Sequence, residues 1–156
     1  MSPEAFQDRI PDNRCFGCGP DNADGLRIKS YWDGPDSSVC TYRPEAYHSA
    51  GPDHFLNGGI IATLIDCHCV CTAVAWYYRE ENREIGSLPK VWCVTGELSV
   101  RYLSPTPIPD DVTLKAEVLE SGEKKLRLAC TLSSSGELRA ESEVVAIRVP
   151  PDWLER

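Results

Sequence analysis

The segment from Asn57 to Tyr78 limits what this chain can fold into more than any other. Asn57-Gly58-Gly59 leads into Ile60-Ile61-Ala62-Thr63-Leu64-Ile65-Asp66, and Cys67 to Tyr78 continues with no Asp, Glu, Lys or Arg. The pattern predicts one helix over residues 59–78, apolar on most sides and therefore buried on most sides. It is long enough to cross a membrane. Asp66 and His68 in its middle, and the lack of basic flanks, argue instead for the central helix of a globular domain. Free N–H groups at a helix N-terminus attract developing negative charge. A carboxylate on an apolar helix is costly unless it is paired or used. Oxyanion donors and a buried acid in one segment point to acyl chemistry.

The rest of the chain supplies what wraps that helix. Residues 1–25, rich in Pro, Asp, Asn and Gly, read as an irregular lead-in. Leu26–Trp32 alternates Leu26, Ile28 and Ser30 against Arg27, Lys29 and Tyr31, as a half-buried strand does. Asp33-Gly34-Pro35-Asp36 is a turn, and Ser38–Tyr42 returns as a second strand. Residues 44–56 form a loop carrying His48 and His54. After Gly86, strands follow at Val94–Tyr102, Val112–Leu119, Lys125–Leu132 and Leu138–Val149, with Pro105, Pro107 and Pro109 interrupting the pairing. Two strands, one helix and four strands predict an α+β domain, a curved antiparallel six-stranded sheet wrapped around one long central helix. At 156 residues this is one domain. Residues 150–156 are a C-terminal tail.

The net charge of −8 argues against broad nucleic-acid or anionic-membrane binding. Met1 to Asn13 is polar and acidic with no apolar run, unlike a signal peptide, so the expected location is cytoplasmic. The eight cysteines read as small buried thiols rather than as a disulfide framework, because Cys67, Cys69 and Cys71 on one helix cannot pair locally. Cys15-x-x-Cys18 has half the spacing of a zinc knuckle, and Cys67 with Cys71 forms an i, i+4 pair. With no second Cys-x-x-Cys, and histidines badly spaced, no metal site is expected.

Four stretches carry a resemblance covering residues 15–149. They are Cys15-Phe16-Gly17-Cys18-Gly19 with Gly25-Leu26, Gly51-Pro52 to Asn57-Gly58-Gly59, Ile60–Asp66, and Thr95 to Pro107. In this order they resemble the hotdog-fold acyl-CoA thioesterases, in particular the branch of the phenylacetate-pathway thioesterases. Asn57 stands where that family usually has His, and Cys67 where it often has Thr, Glu or Ala. The resemblance implies a hotdog domain over residues 26–149, an acyl-CoA substrate, no cofactor, and a homodimer or dimer of dimers.

It also implies roles. The Gly58 N–H polarises the thioester carbonyl, and Asp66 is general base or nucleophile. Asn57, Gly59, Thr63 and His54 are candidates for substrate binding. Each also has a plain structural reading: Asn57 as a helix N-cap, Thr63 as a packed helix threonine, His54 as a solvated loop histidine. Asp66 has one too, as a structural carboxylate paired with Thr63 or His68. His68, about 200° around the helix from Asp66, is expected to be a packed or interface residue. Gly58 and Asp66 are about 12 Å apart along one helix, too far for one carbonyl to bridge. The resemblance implies that the glycine of one chain faces the acid of the other. Lys90, Arg101, Lys124, Lys125 and Arg127 are candidates for the CoA phosphates, and each suits a solvated strand face as well. Two other functions remain open at this stage, a hotdog dehydratase or hydratase with His54 as base, and a non-catalytic acyl-CoA binder.

Overall fold

A computed structural model describes residues 2–156. The elements are β1 (Tyr31–Trp32), β2 (Ser37–Tyr42), α1 (Gly58–Glu80), β3 (Trp92–Tyr102), β4 (Val112–Ser121), β5 (Lys125–Ser134) and β6 (Glu137–Val149), with short 3-10 turns at Gln7–Arg9, Ala46–His48 and Pro151–Glu155. The six strands form one antiparallel sheet in the order β1-β2-β4-β5-β6-β3. Helix α1 packs against β3, β4, β5 and β6. This is the hotdog arrangement expected from the order of elements.

Period-two alternation sets which face of the sheet meets the helix. Val112, Leu114 and Ala116 of β4, Leu126, Leu128 and Leu132 of β5, and Ala140, Val144 and Ala146 of β6 are buried on that face. Opposite them α1 buries Leu64, Ile65, Cys69, Ala73 and Val74. Isoleucines and glycines are indifferent helix formers, so tertiary packing rather than propensity holds this helix.

Its ends are capped. Asn57 Oδ1 accepts from the Gly59 N–H at 2.7 Å and the Ile60 N–H at 3.2 Å. At the other end Asn82 takes a left-handed φ of 52°. There the Asn82 N–H donates to Arg79 O and the Arg83 N–H to Tyr78 O, a Schellman closure.

One predicted strand is shorter than its pattern. Leu26, Ile28 and Ser30 are buried as the alternation requires, but ladder pairing begins at Tyr31. Arg27, at φ 53°, breaks the extended run. The backbone of this stretch bonds instead to the lead-in, through Leu26 N–H to Phe16 O, Ile28 N–H to Gly17 O and Phe6 N–H to Ser30 O. The lead-in is irregular but packed, with Ala5, Phe6, Gln7, Ile10 and Cys18 buried.

A polar network fastens these parts together inside the core. His68, fully buried, has Nδ1 at 2.8 Å from Ser30 Oγ and Nε2 at 3.2 Å from Ser38 Oγ and 3.3 Å from Ser38 O. The carbonyl must accept, which assigns the proton to Nε2. The Ser30 hydroxyl then donates to Nδ1 while accepting from Gln7 Nε2 at 2.8 Å. Ser38 Oγ is 2.7 Å from Thr72 Oγ1, whose proton goes to His68 O at 2.7 Å. Every member is satisfied, so the network costs little and joins the lead-in, β2 and α1.

Candidate active site

Asp66 lies two turns into α1, half-buried, with Oδ1 accepting a 2.6 Å hydrogen bond from Thr95 Oγ1 on β3. Neither Thr63 nor His68 is its partner. Burial raises its pKa above the ordinary carboxylate value, the Thr95 hydroxyl pulls it partway down, and the nearby Cys18 sulfur pushes it up. No hydrogen bond to Oδ2 is present among the described residues. Thr95 begins a register shift on β3 between Thr95 and Glu97. Such a bulge re-aims a side chain. A Cβ at Gly96 would meet Ile147 Cδ1 at 2.5 Å, so the bulged position accepts glycine without rearrangement.

Asp66 and Thr95 open onto a cavity of about 250 Å³. Val70 and Val74 of α1 and Trp92 of β3 supply apolar wall, and Ile10, Cys15 and Cys18 of the lead-in close it. An acid at one end of an apolar hollow suits an acyl group held beside a base. A larger depression of about 440 Å³ lies among Ser99, Arg101, Thr131 and Glu141, on the sheet face away from α1. Arg101 there is ion-paired with Glu141, leaving no free acid or helix terminus to do chemistry.

At the N-terminus of α1 the donors are divided. Asn57 claims the Gly59 and Ile60 N–H groups, and Ile61 N–H bonds to Asn57 O at 3.1 Å. The Gly58 N–H has no partner among the described residues. The Tyr102 hydroxyl donates to Gly58 O at 2.7 Å and so fixes this peptide against β3. A free donor at a helix N-terminus is suited to a developing oxyanion.

Other sequence candidates fall elsewhere. The Thr63 hydroxyl donates back to Gly59 O at 2.9 Å, so it is occupied by its own helix. His54 is exposed, 3.7 Å from Asp53, with its ring against Phe55, and it does not line the cavity. His48 is buried and its Nδ1 accepts from the Glu45 N–H at 3.0 Å. Among the cations, Lys90 faces Asp12 and Arg127 faces Glu120 and Glu143. Thr95 is the residue that sequence reasoning passed over. Its signal was its place beside Gly96 in an otherwise alternating strand.

The cavity wall also gathers thiols. Cys15 Sγ is 3.6 Å from Cys67 Sγ, and Cys71 Sγ is 3.5 Å from Cys18 Sγ. All eight cysteines are free.

A curved antiparallel sheet wrapped on one long helix defines a hotdog protein. Comparison with known proteins agrees. The profile of the Thioesterase superfamily matches residues 53–141. A Thioesterase superfamily protein from Shewanella loihica PV-4 is 32% identical, with 79% of this chain and 91% of that one aligned and a TM-score of 0.60. The chain belongs to the thioesterase superfamily. The same fold recurs in the E. coli PaaI protein from the phenylacetic acid degradation operon, at 16% identity, covering 80% and 81% of the two chains with a TM-score of 0.65. It recurs in a Streptococcus mutans protein bound to acetyl-CoA, at 13% identity, covering 90% and 95% with a TM-score of 0.66. No curated protein matches the sequence.

Proposed function

We propose that the protein is an acyl-CoA thioesterase hydrolysing a small or medium acyl-CoA thioester, with no cofactor in the reaction. The observation that carries this reading is Asp66, a carboxylate of raised pKa at the end of an apolar cavity, with one oxygen held by Thr95. A raised pKa makes it a better base near neutral pH than an ordinary aspartate. Asp66 either takes a proton from the attacking water or attacks the carbonyl carbon itself. In both cases the Gly58 N–H donates to the carbonyl oxygen as it gains charge and the C–S bond breaks. In the first, the proton taken from water passes to the departing CoA thiolate. In the second, water then hydrolyses the acyl anhydride on Asp66, freeing the acid and supplying the proton to CoA. Asn57 and Gly59 shape the turn that presents that N–H.

Gly58 and Asp66 of one chain are about 12 Å apart along α1, so the reading requires a homodimer in which each site draws on both chains. The open edge of the sheet supports this. Strand β3 is 11 residues long and is paired on one side only, to β6. An uncovered edge of that length is a template for a second copy. Further pairing into a dimer of dimers is compatible with the same edge contact. The acetyl-CoA in the Streptococcus mutans protein shows that this fold accommodates a CoA thioester there. The net charge of −8 argues against broad binding to nucleic acid or anionic membranes.

The test is turnover of a panel of short and medium acyl-CoAs, read as free thiol. Thiol release from at least one member is expected. A panel giving no release above the uncatalysed rate, from folded dimeric protein, contradicts the proposal.

A further inference from the structure

The fold assembles a cluster that the sequence shows only as separate halves. Cys15 and Cys18 sit in the lead-in, Cys67 and Cys71 one turn apart on α1, and the lead-in loop lies directly on the helix. The sulfurs of Cys15, Cys18 and Cys67 are all within 4.8 Å of one another. Cys71 Sγ is 3.5 Å from Cys18 Sγ but outside that group of three, so it is the sulfur that must shift to complete a tetrahedron.

Glycines make this approach possible. A Cβ at Gly17 would meet Cys67 Sγ at 2.2 Å, so a side chain there would push the loop off the helix. A Cβ at Gly19 would meet Cys15 N at 2.4 Å and Asn13 O at 2.5 Å, so the loop between the two cysteines closes tightly. Gly19 N–H donates to Cys15 O at 2.8 Å across that closure. Asn13, itself buried, holds the loop from inside. Its Oδ1 accepts from the Cys15 N–H at 3.1 Å, and its Nδ2 donates to Cys18 Sγ at 3.6 Å.

We propose that Cys15, Cys18, Cys67 and Cys71 form a four-sulfur site for a zinc ion, which pins the lead-in to α1 beside the acid-bearing cavity. Zn–S bonds of about 2.3 Å in a tetrahedron place sulfurs about 3.8 Å apart. The observed 3.6 Å and 3.5 Å separations are close to that edge, and far from the roughly 2.0 Å of a disulfide. The pattern of contacts also favours a shared ion over pairwise bonds, because Cys18 has three sulfurs about it rather than one. An i, i+4 pair on one helix face with a Cys-x-x-Cys loop is a donor set suited to a closed zinc site. Binding one Zn²⁺ releases the four thiol protons to solvent and requires no oxidant or reductant. Cys15 is partly exposed and gives the ion a way in.

Such a site departs from the expectation of no metal site, which was drawn from spacing, because spacing does not reveal that residues 15–18 land on residues 67–71. The ion would be structural, and its presence is independent of thioester turnover.

The test is metal content of the full-length untagged chain, purified reduced from zinc-supplemented cells. Close to one zinc per chain is expected. Cys18→Ser and Cys67→Ser should lose it, while Cys40→Ser, at a buried thiol on β2, should keep it. Asn13→Ala should weaken zinc affinity on the order of 10- to 100-fold against a chromophoric chelator. Titration of metal-free wild-type protein with Co²⁺ under anaerobic conditions keeps the test sound if a variant misfolds. Thiolate-to-cobalt charge-transfer bands and strong visible bands of tetrahedral cobalt, saturating at one equivalent, support the site. Protein that carries only trace zinc and gives no such bands overturns it. So does peptide mapping that finds Cys15 joined to Cys67, or Cys18 to Cys71, as disulfides in the protein as isolated.

Discussion

At Asp66 two influences oppose each other: burial raises the carboxyl pKa, and the Thr95 hydroxyl lowers it. Thr95→Val removes the second and leaves the first. If Asp66 acts as a base, its deprotonation sets the acid limb of kcat/KM, so that limb should move to higher pH in the variant. A pH–rate profile with an unmoved limb would separate Thr95 from the chemistry. Asn57 is tested by stability. Asn57→Ala strips two N–H groups of their acceptor and should cost about 1 kcal/mol in urea unfolding, whereas Asn57→Asp should retain most of that. Gly58 and Asp66 stand out in the sequence as candidates because each is a local anomaly, two glycines before a long apolar run and one charge inside it. Thr95 does not, since its role comes from a contact 29 positions away on another element.

Among the elements, the pairing of the lead-in with α1 was the least legible. Residues 1–25 have no periodicity, and the order of residues 2–25 comes from contacts with Ser30 and the helix thiols rather than from local pattern. The helix itself was plain, because nothing else fits twenty residues of such composition. Leu26–Ser30 kept its alternation in burial but lost its ladder at Arg27, whose left-handed φ no periodicity records.

His68 measures how far these elements depend on one another. Burial lowers its pKa from 6.5 to about 4. Between these values the unfolded chain binds a proton that the folded chain does not, so stability falls as pH drops through that window. Asp66 acts with the opposite sign, since its raised pKa makes the folded chain bind the extra proton above 3.8. The difference between wild type and His68→Gln therefore isolates the histidine. Urea midpoints from about pH 7 to about pH 4 should fall less steeply in the variant. Equal slopes would mean that His68 is not held neutral.

For the whole molecule the account turns on one chain lacking a complete site. In the proposed dimer each site takes the Gly58 N–H of one chain and Asp66 of the other. Gly58→Pro is a clean probe of the donor. Proline is favoured at the first helical position, and Asn57 at φ −61°, ψ 134° already has the extended backbone that a following proline requires. A Cβ there would stand 3.5 Å from the Tyr102 ring, an ordinary contact. The fold should therefore survive while the N–H is lost, and turnover should drop on the order of 10²- to 10³-fold. Asp66→Asn keeps shape and removes the base, with a loss on the order of 10²-fold or more.

The most direct measurement combines these two variants. Co-expressing Gly58→Pro and Asp66→Asn chains with different tags, and purifying by both, yields dimers with one chain of each kind. Each such dimer keeps one site with an intact glycine donor and an intact acid, and its second site lacks both. Its acyl-CoA turnover should recover to about half that of the wild-type dimer, since one of two equivalent sites is whole. Purified mixed dimers no more active than either variant alone would contradict the account.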